Sequence, residues 1–245
     1  MYQPRTYRHW VKTADLVSFN VQVKETDLSI RASRNLKSKA LRLVLKYRSA
    51  LEKYIEKNPL FRTTIEPFTV GDDAPQIVRA MAEAAGKAGV GPMAAVAGAI
   101  AEFVGTELLD FSPQIIVENG GDIFMKSLED RVVGIYAGDS PLSGKIGLSI
   151  DGDETPLGIC TSSGAVGHSL SLGKADAVVV VAPSATLADA AATAIGNLVK
   201  VPEDMTRALE FAQDIDGLQG VLIIKDDKMA VWGGLKLCRV AAESE

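Results

Sequence analysis

Cysteine, histidine and long apolar runs are scarce in this chain of 245 residues, which has 2 cysteines and 2 histidines. Cys160 and Cys238 lie far apart without the paired spacing of a zinc site, so we expect buried free thiols in a reducing compartment. No apolar stretch approaches the roughly 20 residues that cross a bilayer, and the N-terminus lacks the apolar core of a secretory signal. We therefore expect a soluble, cytoplasmic protein with no membrane partner.

An excess of positive charge is also absent, and the formal net charge is -5. A chain without a net positive field does not attract a phosphate backbone, so we expect no nucleic-acid partner. The one basic stretch, residues 31–57, is interrupted by Glu52 and Glu56 and is typical of a solvated helix face. With 47% hydrophobic and 23% charged residues, the composition is that of a globular protein.

Apolar periodicity predicts strands and helices in a mixed order. Strands are predicted over residues 6–11, 16–24, 28–32, 62–68, 115–118, 123–126, 132–136, 146–150, 157–161 and 177–181, and a closing hairpin over residues 220–225 and 229–240. Helices are predicted over residues 36–57, 91–105 and 203–215, with one more capped by Asp73 and another capped by Ser184. This mixture favours an α+β fold, with mixed or antiparallel sheets packed with helices, in a single domain over residues 1–245.

Residues 178–193 place two oxygen-bearing side chains directly after a strand that is buried on both faces. Asp189 and Thr193 lie four residues apart on the alanine-rich helix that Ser184 caps, so both side chains leave the same face. A carboxylate beside a hydroxyl is suited to Mg²⁺, which keeps some waters and shares substrate phosphates. The alternative is a solvated polar pair or a local hydrogen bond.

Two polar loops that contain glycine follow other predicted strands. The first consists of Asn119, Gly120, Gly121 and Asp122, which can hold a polar ligand or simply form a tight hairpin turn. The second spans residues 161–169 and includes Ser163, Gly164 and His168. Its hydroxyls and backbone amides can wrap phosphate oxygens, and its imidazole can act as a general base. The alternative is an ordinary surface loop with a surface histidine.

The predicted helix over residues 91–105 is dominated by alanine and glycine. Small residues let a helix lie close to another backbone or to a bound ligand. Close helix packing in the core and a role in facing a ligand are both consistent with this composition.

Three of these segments together resemble the ApbE superfamily. They are NGGD at residues 119–122, TSSG at residues 161–164 and VVAPSATLADAAATA at residues 180–194, in the order in which that superfamily has them. The resemblance begins near Gly91 and leaves residues 1–90 as a divergent N-terminal part beside the motif-bearing residues 91–245. It implies an ApbE-like, T-fold-related architecture. Members include Mg²⁺-dependent transferases that move FMN from FAD onto a threonine of a target protein and release AMP.

The resemblance also implies a set of metal ligands. In the superfamily the aspartate and threonine of the third segment bind the metal. The resemblance implies that the corresponding residues in this chain are Asp189 and Thr193. A backbone carbonyl from a Gly-Ala-Ile-Ala helix segment also contributes, and GAIA at residues 98–101 indicates Ala101.

Two departures affect the recognition of FAD. Transferases of the superfamily have Lys and Gly directly after the Ile-Ala of that helix, where this chain has Glu102 and Phe103. They also have a histidine followed by Asp-Pro and Thr-Gly elements, whereas His168 is followed by SLSLG. Together with the missing lipoprotein signal, these departures indicate a shorter, cytoplasmic branch of the superfamily. This branch keeps the metal-binding residues but not the whole flavin-binding site.

Three functional hypotheses follow. The first is an enzyme or binder that uses Mg²⁺ at Asp189 and Thr193 to hold a phosphorylated ligand of flavin type (FAD or FMN) or nucleotide type, positioned by Ser163, Gly164 and the 119–122 turn, with His168 as the proton acceptor. The second is a protein that binds a pterin, purine or flavin ring without turnover. The third is a structural member of an assembly, with a decayed site. Whether the chain forms a homo-oligomer stays open.

Overall fold

A computed structural model describes residues 15–164 and 173–240 of the chain. Within these residues the strands are β1 (Val17–Val23), β2 (Thr26–Ala32), β3 (Ile115–Asn119), β4 (Asp122–Lys126), β5 (Arg131–Gly134), β6 (Ile146–Ile150), β7 (Leu157–Ser162), β8 (Ala177–Ala182), β9 (Gly220–Lys225), β10 (Lys228–Gly233) and β11 (Lys236–Arg239). The α-helices are α1 (Lys37–Lys57), α2 (Leu60–Thr63), α3 (Gln76–Ala88), α4 (Val96–Leu108), α5 (Ala185–Leu198) and α6 (Met205–Gln213). A 3₁₀ turn, Pro92–Ala95, leads directly into α4.

The described strands form two antiparallel sheets. The large sheet has the order β1-β2-β3-β4-β7-β8-β9-β10, and the small sheet has the order β11-β6-β5. In each half of the large sheet, two strands are followed by helices and then by two more strands, with α1 to α4 between β2 and β3 and with α5 and α6 between β8 and β9. The two halves therefore repeat one order of elements. The predicted α+β class with antiparallel sheets and packed helices is confirmed.

The large sheet separates two apolar layers. Helices cover one face, while the small sheet covers part of the other. Because side chains alternate along a strand, Val178 and Val180 of β8 face the helices, and Val179 and Val181 face the small sheet. This double burial explains the uninterrupted run of β-branched residues in β8.

The helix that follows β8 begins as the sequence predicts. Ser184 is its N-cap, and the Ser184 Oγ atom accepts the backbone N–H of Leu187 at 3.2 Å. The first turn of α5 then packs very closely on β7, because a Cβ atom on Gly158 would lie 2.2 Å from Ala185 Cα. This contact fixes the position of α5, and with it Asp189 and Thr193, above the large sheet.

The predicted strand over residues 62–68 is wrong, because the short helix α2 extends to Thr63 and residues 64–68 form neither helix nor strand. Pro59 precedes this turn with φ of -58°, the value that its ring imposes and a helix requires. Phe61 is fully buried and packs edge-on against the rings of Tyr54 at 5.2 Å and Phe68 at 5.6 Å between centroids. Phe68 of this segment therefore joins an aromatic cluster, while Ile65 is exposed, and the segment does not cover one face of a sheet.

The helix assigned to an Asp73 cap begins later than predicted. Pro75, and not Asp73, is the residue that precedes α3. The helix runs through Gly86 and ends at Gly89, whose φ of 71° is the left-handed conformation that glycine adopts most easily.

The closing hairpin is also shorter than predicted. Strand β10 ends at Gly233 with φ of 85°, and β11 crosses to the small sheet, where it pairs with β6. Both cysteines are free, but only Cys160 is buried, whereas Cys238 is partly exposed. The strand predicted over residues 6–11 lies outside the described residues.

Within residues 15–164 and 173–240, no single helix has the length and apolar composition needed to cross a membrane. Helix α3 and the segment Pro92–Leu108 satisfy the length and composition test only as a pair, and the two are bent by 106° at the break between them.

Candidate functional site at one end of the large sheet

The NGGD segment is a tight hairpin turn between β3 and β4. Gly120 and Gly121 are its two loop residues, with φ of 70° and 110°, and Asn119 pairs with Asp122 across the strands. Positive φ at both loop positions is the requirement of the commonest two-residue hairpin, so the turn needs its glycines. The end of β7 lies alongside, since the Thr161 N–H donates to Asp122 Oδ1 at 3.3 Å.

On the helix face of the sheet, this turn contacts the first turn of α4. The Asn119 Nδ2 atom donates to the Ala97 carbonyl oxygen at 3.1 Å. From α5, Asp189 Oδ2 accepts the N–H of Gly98 at 2.8 Å. A Cβ atom on Gly98 would lie 2.2 Å from the Ala185 carbonyl oxygen, so α4 and α5 approach each other there by backbone contact. The small residues of α4 thus serve close helix packing in the core.

Asp122 and Asp189 form a pair of acidic side chains at this point. Burial raises the pKa of Asp122 well above its usual value, and the nearby charge of Asp189 raises it further. Desolvation raises the pKa of Asp189 to about 7, although the backbone N–H groups of Gly98 and Ala97 oppose the shift. The two groups therefore resist ionising together unless a cation compensates their charge.

The thiol of Cys160 completes the surroundings of the acidic pair. Its Sγ atom donates to the Ala185 carbonyl oxygen at 3.3 Å, and it also lies within hydrogen-bonding reach of Asp122. Burial raises the pKa of Cys160, as do the charges of Asp122 and Asp189, so this thiol stays protonated.

Thr193 and Ala101 occupy different positions relative to this pair. Thr193 lies one turn beyond Asp189 on α5 and is partly exposed, as Asp189 is. Gly196, a further turn along, faces β7, since its added Cβ would lie 3.5 Å from Ser162 Oγ. The stripe through Asp189, Thr193 and Gly196 therefore runs over the end of β7. Ala101 is fully buried inside α4, where each carbonyl oxygen accepts the N–H four residues on.

Glu102 has a structural role that the sequence does not reveal. Its Oε2 atom accepts hydrogen bonds from the Ser184 hydroxyl and from the Thr186 N–H and hydroxyl, each at 2.8 Å. The carboxylate of Glu102 thus occupies the N-terminus of α5, which is the end of a helix that attracts anions. In the sequence, the sign of this role is an acidic residue inside the run of small residues.

A pocket lies on the opposite face of the sheet, between the large and small sheets. It is bordered by the same glycine turn and by the end of β7, and its lining includes apolar residues of both sheets. The polar lining residues of this pocket are Arg31, Glu118, Tyr136, Thr161 and Ser163. Sequence reasoning identified Ser163, Gly120 and Gly121 but missed Arg31 and Glu118.

The predicted loop residues divide between the two faces. Gly120, Gly121 and Ser163 line the pocket, whereas Asn119 and Asp122 face the helices. Gly164 is exposed at the end of β7, and its N–H donates to the Ala175 carbonyl oxygen at 2.9 Å. His168 lies outside the described residues, so its role as a proton acceptor stays a prediction.

The donors on the helix face fit the chemistry of Mg²⁺. Two carboxylates and a nearby hydroxyl are the hard oxygen ligands that Mg²⁺ prefers. Across residues 15–164 and 173–240, no three histidine, cysteine or acidic side chains gather in a group that could hold a metal ion. A magnesium ion at Asp189 and Thr193 would therefore keep water or ligand oxygens in its remaining positions, as Mg²⁺ commonly does.

Comparison with known sequences gives extensive matches. The sequence profile of a family described as AbpE bacteria matches residues 8–230. The UPF0280 protein of Methanococcus vannielii is 46% identical over 215 residues, which cover 85% of this chain and 87% of that protein. The UPF0280 protein of Methanopyrus kandleri is 45% identical over 225 residues, with 89% and 91% of the two chains covered.

Solved structures share the fold at low sequence identity. The flavinyl transferase ApbE of Pseudomonas stutzeri, in its apo form, aligns with a TM-score of 0.60 at 15% identity and covers 89% of this chain and 93% of its own. The ApbE protein of Thermotoga maritima aligns with a TM-score of 0.55 at 14% identity, with 85% and 94% covered. At this identity the likeness concerns the fold alone.

Proposed function

The chain belongs to the family described as AbpE bacteria, and on this premise we propose that it binds a phosphorylated small molecule of flavin or nucleotide type with the help of Mg²⁺. The ring of the ligand occupies the pocket between the two sheets. Its phosphate groups pass over the turn of Gly120 and Gly121 and reach the metal held by Asp189 and Thr193.

The observation that supports this proposal most strongly is that the pocket and the acidic pair lie at the same end of the large sheet. The pocket and the acidic pair lie on opposite faces but share the hairpin turn and the end of β7. Gly120 leaves open space where a side chain would stand, since an added Cβ meets nothing within 4 Å. A ligand can therefore cross from one face to the other without displacing a side chain at that position.

Each group of residues has a distinct task in this proposal. The aliphatic side chains of the two sheets exclude water from the ring, while Ser163 and Thr161 orient its polar edge. Asp189 and Thr193 hold the metal, with Ala101 as the carbonyl ligand that the superfamily resemblance adds. When bound, Mg²⁺ neutralises phosphate charge and so stabilises a leaving phosphate.

We propose a transferase-type reaction as the catalytic form of this function, because ApbE of Pseudomonas stutzeri is named a flavinyl transferase. In that reaction His168 accepts the proton of the attacking hydroxyl. The chain would act as a cytoplasmic enzyme on FAD, FMN or a related nucleotide.

A second candidate is binding of a pterin, purine or flavin ring without turnover. The position of Glu102 favours it, because its carboxylate occupies the N-terminus of α5 and excludes a phosphate from that helix end. A ligand with fewer phosphate groups than FAD suits such a site better.

Titration calorimetry of the full chain tests the proposal. FAD, FMN, GMP and a pterin are each titrated with Mg²⁺ and again with EDTA. We expect at least one of them to bind, with an affinity that falls about tenfold or more when Mg²⁺ is removed and that falls equally in Asp189→Asn. Absence of binding by all four in the presence of Mg²⁺ would contradict the proposal, and His168→Ala separates turnover from binding.

A further inference from the structure

We propose that the outer face of α1 is a docking site for an acidic, amphipathic helix of a partner protein. The site consists of Lys37, Leu41, Arg42 and Leu45, which together are called the α1 face. It lies in the helix layer of the large sheet and shares no residue with the pocket or with the acidic pair. The inference is therefore independent of the proposed function.

Positive charge is concentrated in one part of the chain. Residues 28–51, which hold β2 and most of α1, contain seven basic residues and no acidic residue, although the formal net charge of the chain is -5. Lys46 and Arg48 form ion pairs with glutamates of neighbouring segments. Lys37 and Arg42 are exposed, and neither forms an ion pair within the described part of the chain. Their charges are therefore available to an acidic partner.

Two leucines lie among these charges on the outer side of α1. Leu41 is 39% exposed and Leu45 is 49% exposed, whereas Val44 on the inner side is fully buried. Because residues four apart share one face of a helix, Lys37, Leu41 and Leu45 form a row along α1, and Arg42 lies beside this row. A row of this kind packs against the apolar stripe of a second helix.

The leucines distinguish among the kinds of acidic partner. A nucleic acid would bind the cations through its phosphates but would leave the exposed leucines without an apolar contact. A lipid surface takes up the whole apolar face of an amphipathic helix, whereas the apolar face of α1 is packed on β1 and α4. A helix that carries glutamates beside leucines can contact both the cations and the leucines of the α1 face.

The size of the α1 face indicates a transient complex. Two leucines and two cations form a smaller surface than the interface of a permanent complex, which buries about 2,000 Å² or more. Exposed charges at the edge of such an interface accelerate the encounter of the partners, and salt screens them. We therefore expect an association that weakens as the ionic strength rises.

The experiment uses two synthetic peptides of about 15 residues, a length at which a helix can form. The first places glutamates beside leucines that are spaced four apart, and the second has the same composition with its leucines distributed around the helix. Fluorescence anisotropy measures the binding of each labelled peptide to the full chain and to the variants Arg42→Glu and Leu45→Gln. Arg207→Glu, at an exposed position of α6, makes the same change of charge on another helix and is the matched control. Circular dichroism establishes that each variant is folded.

We expect the first peptide to bind more tightly than the second. Its affinity should fall about tenfold in Arg42→Glu and about fivefold in Leu45→Gln, and it should stay unchanged in Arg207→Glu. Equal affinity of the first peptide for all the variants, or no binding at a peptide concentration of about 1 mM, would overturn the inference.

Phosphatidylglycerol vesicles and duplex DNA are tested with the same proteins. Tighter binding of either one than of the first peptide, lost in Arg42→Glu but kept in Leu45→Gln, would assign the α1 face to a polyanion and would also overturn the inference. Weaker binding of both than of the first peptide would support the acidic helix as the partner.

Discussion

Asp189 of α5 caps the first turn of α4, because its Oδ2 atom accepts the backbone N–H of Gly98 at 2.8 Å. The reverse contact is made by Glu102 of α4, which accepts the N–H of Thr186 in the first turn of α5, also at 2.8 Å. Each helix thus stabilises the N-terminus of the other with a carboxylate. The residue that we propose as a metal ligand is therefore also part of the helix packing, and experiments on it need a control for stability.

The close contact between these helices predicts a large effect of Gly98→Ala. The added Cβ would lie 2.2 Å from the Ala185 carbonyl oxygen and 2.8 Å from Asp189 Cβ, so the helices must separate. We expect the free energy of unfolding to fall by about 3 kcal/mol or more, as for overpacked cores. Urea unfolding measures the change. Gly86→Ala is the control, since its Cβ meets nothing within 4 Å, and it should raise stability by about 1 kcal/mol.

Substitution of Glu102 tests its role at the N-terminus of α5. Glu102→Gln keeps an oxygen but loses the charge, so we expect a loss of about 1 kcal/mol in the free energy of unfolding. Glu102→Lys should cost more, because it places a cation at the positive end of a helix. Thermal and urea unfolding rank the variants. Equal stability of Glu102→Lys and the wild type would show that the carboxylate does not cap α5.

The acidic pair predicts an unusual dependence of stability on pH. Because the folded pKa values of Asp122 and Asp189 are raised, the native state keeps protons that the unfolded state releases. Stability without metal therefore falls as the pH rises from about 4, by about 1.4 kcal/mol per pH unit for each retained proton. For Asp189 this loss continues up to its folded pKa of about 7.

Urea unfolding in EDTA across this pH range measures the slope. Asp122→Asn should reduce the decline, whereas Asp227→Asn, at an exposed turn, should leave it unchanged. Added Mg²⁺ should stabilise the protein more at pH 8 than at pH 5, because the proposed ligand Asp189, with its pKa of about 7, is ionised at pH 8. A stability that rises with pH throughout this range in EDTA would contradict the raised pKa values.

Thr193→Val separates metal binding from helix capping. The substitution removes the hydroxyl that we propose as a ligand and leaves the contact between Asp189 and Gly98 intact. We expect Mg²⁺ affinity to fall about tenfold or more with little change in the free energy of unfolding. Calorimetric titration with Mg²⁺ and urea unfolding give the two quantities. Thr206→Val, at an exposed position of α6, is the control, and equal Mg²⁺ affinity in both variants would remove Thr193 from the site.

Local signals in the sequence predict much of the fold. The β-branched run of β8, the Ser184 cap and the two glycines between β3 and β4 each depend on residues within one segment, and the structure has all three. The strand predicted over residues 62–68 is wrong because α2 extends to Thr63 and Phe68 packs edge-on against Phe61, whereas Ile65 is exposed.

The candidate site is less accessible to sequence reasoning because it depends on long-range packing. The proximity of Asp122 and Asp189 requires β4 to lie under α5, and the proximity of Arg31 and Glu118 requires the register of β2 on β3. An acidic residue in a mainly apolar strand or in a run of small residues, as at Glu118 and Glu102, is the signal that points to such contacts. Neither residue can be assigned a partner until the fold is known.

The most direct test of the metal site is anomalous diffraction from crystals of the full chain soaked with Mn²⁺, which replaces Mg²⁺ at oxygen sites. We predict one anomalous peak within coordination distance of the Asp189 carboxylate and the Thr193 hydroxyl, at about 2.2 Å from each oxygen. An anomalous peak at another position, with the Asp189 carboxylate accepting only the N–H groups of Ala97 and Gly98, would contradict the account.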